Sequence, residues 1–499
     1  MKNKLDILLR DVNTAAVICS QWGDTGKGKI VDLFADWADV IARGTGADNA
    51  GHTIWVKGKK YVMHLIPSGI LRDGDGKTNI IGSGVAVNPR VVLEEMAMLS
   101  EAGLSYDHLM IALNAKLILP QHILLDRLRE SKSGKIGTTG RGVGPVYADH
   151  YARQGLIVND MLNPDSFRKK FLRNLKEKMV LFTEYDPVLI QELMHHEHLE
   201  KGQFFSDGIG IFDVEAIVER YAEYGRLLRD LISDTDTFMK RIVGTKKILL
   251  EGAQGTMLSV DHGSYPFVTS SDCTDQGLAH GVGLKDKHID LVLNIAKAFY
   301  MTRVGGGPFP TEIGGHASAD WCAEVGVTKG VEKDNYPFAT VNSQQDFLQG
   351  IAIRMAGEEY GATTGRPRRV GWLDLPVLRY ATRQCGKDVI LTKLDVLSSC
   401  EAIKICYSYQ YDGEPFNYGD ETFKAGDMIG VAVPFAEVME KCGPVYAVFP
   451  GWCCDISDVR EYDDLPEPLR AIIAFIEDRA KVSVRIVSVG ADRDATIIR

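Results

Sequence analysis

Nowhere in the 499 residues do apolar side chains run on for the roughly eighteen positions that a bilayer-crossing helix needs, so such a helix is excluded. A basic excess is missing too: 57 Lys and Arg stand against 67 Asp and Glu, for a net charge of −10. Neutralising phosphodiesters requires a basic face, so this balance argues against a nucleic-acid partner. The nine cysteines form no C-x-x-C pair, and the adjacent Cys453 and Cys454 lack metal-ligand spacing. A reduced, cytoplasmic enzyme is the expectation. There is no long Pro/Ser/Gly linker, no low-complexity tract and no repeat of solenoid period. No small-residue cleavage site follows the first apolar run, so no secretion signal is expected.

What the sequence does hold is ample core material, 45% hydrophobic residues against 25% charged. Short β-branched runs recur at 14–19, 247–251, 289–295, 388–394 and 483–489, several leading directly into glycine-bearing loops. Parallel strands end in this way. Amphipathic helical patterns lie between them. One starts at Asn88-Pro89, a capping residue with proline in the first helical position, and stops at Gly103; another begins near Pro468. The alternation implies an α/β protein with a large, mostly parallel central sheet covered by helices on both faces. It reads as one catalytic unit over residues 1–499, with insertions within about 155–249 and 313–361. Residues 313–361 show little regular patterning and suggest an insertion, a lid or a functional loop.

Five segments carry chemistry. In the first, Gly23-Asp24-Thr25-Gly26-Lys27-Gly28-Lys29 follows a strand and precedes a helical pattern, the context of a phosphate loop. Ile30 occupies the position where such loops usually carry the Ser or Thr that binds magnesium, which leaves Asp24 as the hard-oxygen candidate for a metal. The second segment is Asn49-Ala50-Gly51-His52-Thr53, whose histidine is either structural or a donor to a developing negative charge. The third, residues 137–145 (GTTGRGVGP), combines hydroxyls, glycines and Arg141 in a way that suits a phosphate monoester, with Arg153 a few residues downstream. The fourth is Ala362-Thr363-Thr364-Gly365-Arg366-Pro367-Arg368-Arg369. Three guanidiniums there suit a dicarboxylate, although a solvated basic turn has the same composition. In the fifth, Lys393-Leu394-Asp395 ends a strand: a carboxylate there can accept both N1–H and the amine of guanine, or the lysine and aspartate simply pair. The run His195–His198 reads as a solvated helix face, with too few ligands for a stable zinc site.

Taken together, QWGDTGKGKIVD (21–32), NAGHT (49–53), GTTGRGVGP (137–145), EGAQGTMLSVDHGSYPFVTSS (251–271), TRVGGGPFPTE (302–312), ATTGRPRRVGWLD (362–374), LTKLDVL (391–397) and SVGADRDATI (488–497) resemble the adenylosuccinate synthetases over nearly the whole chain. The resemblance implies a P-loop-like GTP-binding architecture and a ligase that uses GTP and Mg²⁺ to join IMP to L-aspartate. It implies Asp24, His52, Lys27 and Gln254 as catalytic residues and Asp24 with the Gly51 carbonyl as magnesium ligands. GTP would meet Gly23–Lys29, Arg368, Lys393, Leu394, Asp395, Ser488, Val489 and Gly490. IMP would meet Asp24, Lys27, Asn49, Ala50, Gly51, His52, Thr139, Gln254, Thr269 and Arg366, with Arg153 reaching the neighbour's IMP site in a homodimer. Aspartate would meet Ala362, Thr363, Thr364, Gly365, Arg366 and Arg368. Thr25, where the family's loop usually has Glu, and Asp48 depart from the pattern. The same motifs would also serve a divergent relative that ligates another purine nucleotide or amino acid.

Overall fold

Six small or β-branched residues, Thr14–Cys19, form a strand buried along its whole length, as only a central parallel strand is. The computed structural model describes residues 2–56, 59–131, 136–205, 211–361 and 365–499. Numbered in chain order, the strands of its main sheet are β1 Thr14–Cys19, β2 Val40–Arg43, β3 Thr78–Ile81, β4 Leu109–Ala112, β5 Ile232–Ser233, β6 Ile248–Glu251, β7 Leu291–Lys297, β8 Asp388–Thr392, β9 Ser483–Ser488 and β10 Thr496–Ile498. They lie side by side in the order β10-β9-β8-β7-β1-β6-β2-β3-β4-β5. Every pairing is parallel except that of β10, which runs antiparallel to β9 at the edge.

Side chains of a strand alternate between faces, and here each face has its own core. Ala15 and Val17 of β1, with Leu249, Leu293 and Ile390, pack on Ile30, Val31 and Phe34 of the helix Lys27–Ala35. Ala16 and Ile18, with Ile80 and Leu250, pack on Met239, Leu278 and Ala279 from helices on the opposite side. The expected two-faced α/β sheet is present. The expected strands are present with edges shifted by a few residues. The 388–394 run ends at Thr392 because Lys393 turns into the left-handed region at φ 59°.

A second, smaller sheet stands beside the first. Tyr300–Arg303 runs antiparallel to Arg369–Asp374, which is parallel to Ala402–Tyr411; that long strand pairs in turn with Cys442–Pro450 and Met428–Ile429. Within 155–249 the chain folds into the helices Pro164–Phe182, Pro187–Met194, Val214–Leu228 and Thr235–Ile242. Phe167, Phe171 and Tyr221 stack there against the core beneath β3 and β4.

Three local expectations need correcting. Residues 313–361 are not irregular: they form the helices Gly315–Ala323, Lys329–Asn335 and Asp346–Gly357. What organises them is a buried polar centre that hydrophobic periodicity does not register. Glu332 accepts from Arg354 Nε at 2.9 Å, Trp321 Nε1 at 2.9 Å and Tyr360 OH at 2.6 Å. His195–His198 is not a helix face, because the helix stops at Met194; His196 Nδ1 accepts from the His198 backbone, and His198 Nδ1 meets Arg90 Nη2 at 2.8 Å. Asn88 precedes the helix Pro89–Glu101 as expected but does not cap it with its side chain, which donates instead to Asp48 at 3.2 Å.

The loops after β2 and β3 and the end of the helix Asp275–His280 meet most closely at glycines. The Gly84 amide donates to the Gly281 carbonyl at 2.9 Å, and a Cβ on Gly281 would sit 1.7 Å from the Gly44 carbonyl oxygen. Backbone cannot yield as a flexible side chain does, so Gly281→Ala is expected to lower the unfolding midpoint in urea, at a cost of about 1–3 kcal/mol or more. An unchanged midpoint would show that the two loops and the helix end are not in contact.

Candidate active site

In a parallel sheet, loops leaving the carboxyl ends of the strands share one edge, and ligands bind in the crevice outside that edge. Three of the chemistry-bearing segments and several further residues issue from that edge, whereas residues 137–145 and the arginine loop lie between other elements. The phosphate loop follows β1, residues 44–53 follow β2, Gly252–Gln254 follow β6, Lys297 ends β7, Lys393–Asp395 follow β8 and Val489–Gly490 follow β9.

Three residues of the phosphate loop take positive φ, 87° at Gly23, 51° at Asp24 and 79° at Gly26. Gly26 then leads into the helix Lys27–Ala35, whose N-terminal amides and dipole face the loop. Among the described residues nine non-glycine residues have positive φ, and four of them, Asp24, Arg153, Gln254 and Lys393, were picked out by sequence. Backbone held in this region is costly and concentrates where geometry is functionally constrained.

Asp24 is half-buried, and Arg368 Nε lies 2.8 Å from its Oδ2 in an ion pair. Burial works to raise the Asp24 carboxyl, but Arg368, Lys297 and Lys27 together outweigh it and hold it below the usual range. It therefore stands ionised at neutral pH. Lys27 is buried and donates to the Gln254 carbonyl at 2.6 Å, while the Gln254 side chain donates to Asn49 Oδ1 at 2.9 Å. Asp24, Lys27, Asn49 and Gln254 are thus brought into one group. Lys29 behaves differently: its ammonium meets Ser488 Oγ at 2.7 Å, Gly490 O at 2.8 Å and Ala495 O at 3.0 Å. With all three N–H donors engaged, it holds the turn after β9 rather than facing the phosphate loop.

His52 opens the hairpin strand that follows the NAG turn, and its Nδ1 is hydrogen-bonded to the Glu251 carboxylate at the end of β6. Ser68 fixes that carboxylate from the far side, its amide and hydroxyl each donating at 2.7 Å. Burial lowers the His52 imidazole below its ordinary value, with Glu251 opposing. An ionised Glu251 only accepts, so Nδ1 carries the hydrogen and Nε2 is the free ring nitrogen.

Other expected residues sit where the loops carry them. Thr139 and Arg153 are exposed, and Thr269 is half-buried with its amide on the Leu258 carbonyl at 2.8 Å. Ala50 and Gly51 line the turn before His52. Arg141, at first sight a phosphate ligand, is buried and paired with Asp48 at 3.2 Å, so the unusual aspartate has a structural partner. Ala362, Thr363 and Thr364 lie outside the described residues. Around them Gly361 N donates to Arg366 O at 2.8 Å, Gly365 N to Gly361 O at 2.8 Å and Arg368 N to Glu359 O at 2.9 Å, closing the arginine loop on itself. Arg366 is exposed at its side. At the β8 end, Leu394 is buried and Asp395 half-buried; burial raises the Asp395 carboxyl, opposed by its own backbone, Lys393 and Lys29.

Glu251, Lys297 and Glu359 were not singled out from sequence. The first two are charged residues ending largely apolar strands, and that position was the available signal; Glu359 had none. As for a metal, no cluster of three His, Cys, Asp or Glu is poised to hold one among the described residues. One carboxylate at Asp24 and a carbonyl at Gly51 suit Mg²⁺, which keeps water and substrate phosphate in most of its shell.

Selective ¹⁵N labelling of histidine checks the dyad. At pH 7 His52 is expected to appear as the neutral Nδ1–H tautomer, and Glu251→Gln should lower its pKa further because the carboxylate is what raises it. An imidazolium at pH 7 in the unliganded protein would contradict this arrangement.

The sequence matches the adenylosuccinate synthetase family over residues 16–497. It is 42% identical to the adenylosuccinate synthetase of Halothermothrix orenii over 488 residues, which cover 97% of this chain and 98% of that one. With the Geobacter sulfurreducens enzyme of the same name it shares 40% identity over 488 residues, covering 97% of each. The fold is similar to that of the fully ligated adenylosuccinate synthetase from Plasmodium falciparum, with a TM-score of 0.78 and 32% identity, across 98% of this chain and 100% of that one. Matched by sequence from end to end and by fold across the sheet whose edge gathers these loops, the chain belongs to the adenylosuccinate synthetase family.

Proposed function

We propose that the protein is a ligase that joins IMP and L-aspartate, with GTP converted to GDP and phosphate, to form adenylosuccinate. The observation that carries this reading is the meeting of the ionised Asp24, the His52–Glu251 pair and the Lys393–Asp395 turn along one sheet edge, in a chain of this family. The near-complete coverage by relatives of that name favours IMP and aspartate over a different nucleotide or amine.

Asp24 accepts the N1 proton of IMP, and the 6-oxygen, now nucleophilic, attacks the γ-phosphorus of GTP. Lys27 and the loop amides take up charge on the phosphates. His52, oriented through Nδ1 by Glu251, presents Nε2 to the transferring group; the approaching negative charge raises its proton affinity and turns it into a donor. The amine of aspartate then attacks C6, the C6–O bond breaks, and phosphate leaves with the former 6-oxygen. Phosphorylation thus replaces a poor leaving group with a good one. Magnesium, held by Asp24 and the Gly51 carbonyl, would neutralise phosphate charge when bound.

Asn49, Ala50, Gly51, Thr139, Gln254, Thr269 and Arg366 line the IMP site, and Arg153, exposed on its own chain, completes the site of a second subunit in a homodimer. The loop Ala362–Arg368 grips the aspartate carboxylates. Lys393, Leu394 and Asp395 read guanine with the backbone of Ser488, Val489 and Gly490, while Lys29 supports that backbone. We read the chain as one catalytic unit working in the cytoplasm.

The test is absorbance of the purine as its 6-oxo group is replaced by a 6-amino group, with IMP, L-aspartate, GTP and Mg²⁺ present and each omitted in turn. Product is expected only with all four. Asp24→Asn should lower kcat by about 10³-fold or more, because an amide cannot take the N1 proton. Product formed without aspartate or GTP, or an Asn variant with substantial turnover, would overturn this reading.

A further inference from the structure

One buried carboxylate lies outside every role given above and yet touches three of its parts. Glu359 is 4% exposed. Its Oε2 accepts from Lys297 Nζ at 2.6 Å, and its Oε1 accepts from Lys393 Nζ at 2.7 Å and from Tyr300 OH at 2.6 Å. Lys297 ends β7, and its main chain is bonded in both directions to the side chain of Gln21, just before the phosphate loop, at 3.1 and 3.3 Å. Lys393 opens the guanine-reading turn and also donates to Gly357 O at 2.6 Å. The main chain of Glu359 closes the base of the arginine loop, because its carbonyl accepts from Arg368 N at 2.9 Å. Tyr360 and Pro367 bridge just above. The side chain is therefore fixed by the GTP site and the backbone by the loop proposed to grip aspartate.

We propose that Glu359 is a positioning residue that couples the guanine end of the GTP site to the arginine loop, so that each substrate is bound more tightly when the other is present. This rests on the ligase reading above. The chemistry is that of a shared counter-ion. A single buried carboxylate that serves two ammoniums ties them together, since a change that draws it toward one weakens its hold on the other and its loss strands both charges. When guanine settles over Lys393, any shift of that ammonium is transmitted to Glu359 and, through the Glu359 carbonyl, to the amide of Arg368 in the arginine loop. Coupling between two sites is reciprocal, so aspartate must favour GTP by the same factor as GTP favours aspartate. Lys297 adds a link to the reacting centre: burial pulls it down to about 8, Glu359 holds it up, and its charge is one of those that keep Asp24 ionised.

Glu359→Gln keeps the shape but places an amide N–H₂ against an ammonium, and it is the discriminating variant. In wild type the aspartate KM is expected to fall as GTP rises and the GTP KM to fall as aspartate rises. In Glu359→Gln both KM values should rise about tenfold or more, as for a lost charge-assisted bond. Each should also become independent of the other substrate, while the KM for IMP stays within about threefold. Glu359→Asp should recover part of the coupling, and Tyr300→Phe, which removes a neutral partner and leaves both lysines paired, should retain it. Thermal melts separate this from loss of folding. A Glu359→Gln protein that keeps the mutual dependence, or that changes only in melting temperature or only in GTP KM, would overturn the coupling while leaving the ligase reading intact. Wild type without ligation would overturn the ligase reading itself.

Discussion

Parallel pairing of Thr14–Cys19 between two buried neighbours is the constraint on which the rest of the molecule depends. Parallel strands cannot be joined by tight turns, so every connection must cross back over a face of the sheet. Each carboxyl end is thereby left to open along the same edge. Six separate loops, drawn from residue 20 to residue 490, are delivered there without needing to be near one another in sequence. The helices that cross back also seal both faces, and that seal allows the strand ends to hold charged residues in a low-dielectric setting.

Those charges are governed by a second rule: a cation removed from water needs a fixed anion. Glu332 and Glu359 each meet it by gathering several donors, cations among them, around one buried carboxylate. Asp32 does so between Arg72 at 3.0 Å and Arg493 at 2.5 Å. Such pairs contribute little net stability over apolar packing, but breaking one is expensive. They act as rivets that define where the loops sit. The His52 imidazole and the Asp24 carboxylate have their protonation states set by the same scaffold.

Much of this was legible in the sequence, for reasons that can be named. β1 and the phosphate loop were readable because an apolar β-branched run ending in Gly-x-x-Gly-Lys has few other solutions. The two-faced sheet was readable from runs that are continuously apolar rather than alternating. Glu332 and the three short helices around it were not, because their order comes from polar contacts between residues spaced 11 to 28 positions apart, which leave no periodic trace. Lys29 was assigned to phosphate by proximity in the motif, whereas its three acceptors lie at the other end of the chain. Glu359 sits in a stretch whose two adjacent glutamates are indistinguishable by composition, although one is buried between lysines and the other is exposed.

The bonds from Lys29 to Ser488, Gly490 and Ala495, together with that from Arg493 to Asp32, join residues separated by 459 to 466 positions. Translation makes the phosphate loop and the helix behind it early, but the turn that braces that helix emerges hundreds of residues later. A nascent chain on the ribosome thus lacks that brace on the helix behind its phosphate loop through most of synthesis, and gains it only when that turn and strand β9 have been added. The complete brace is in this sense a mark that the chain has been read through to that point.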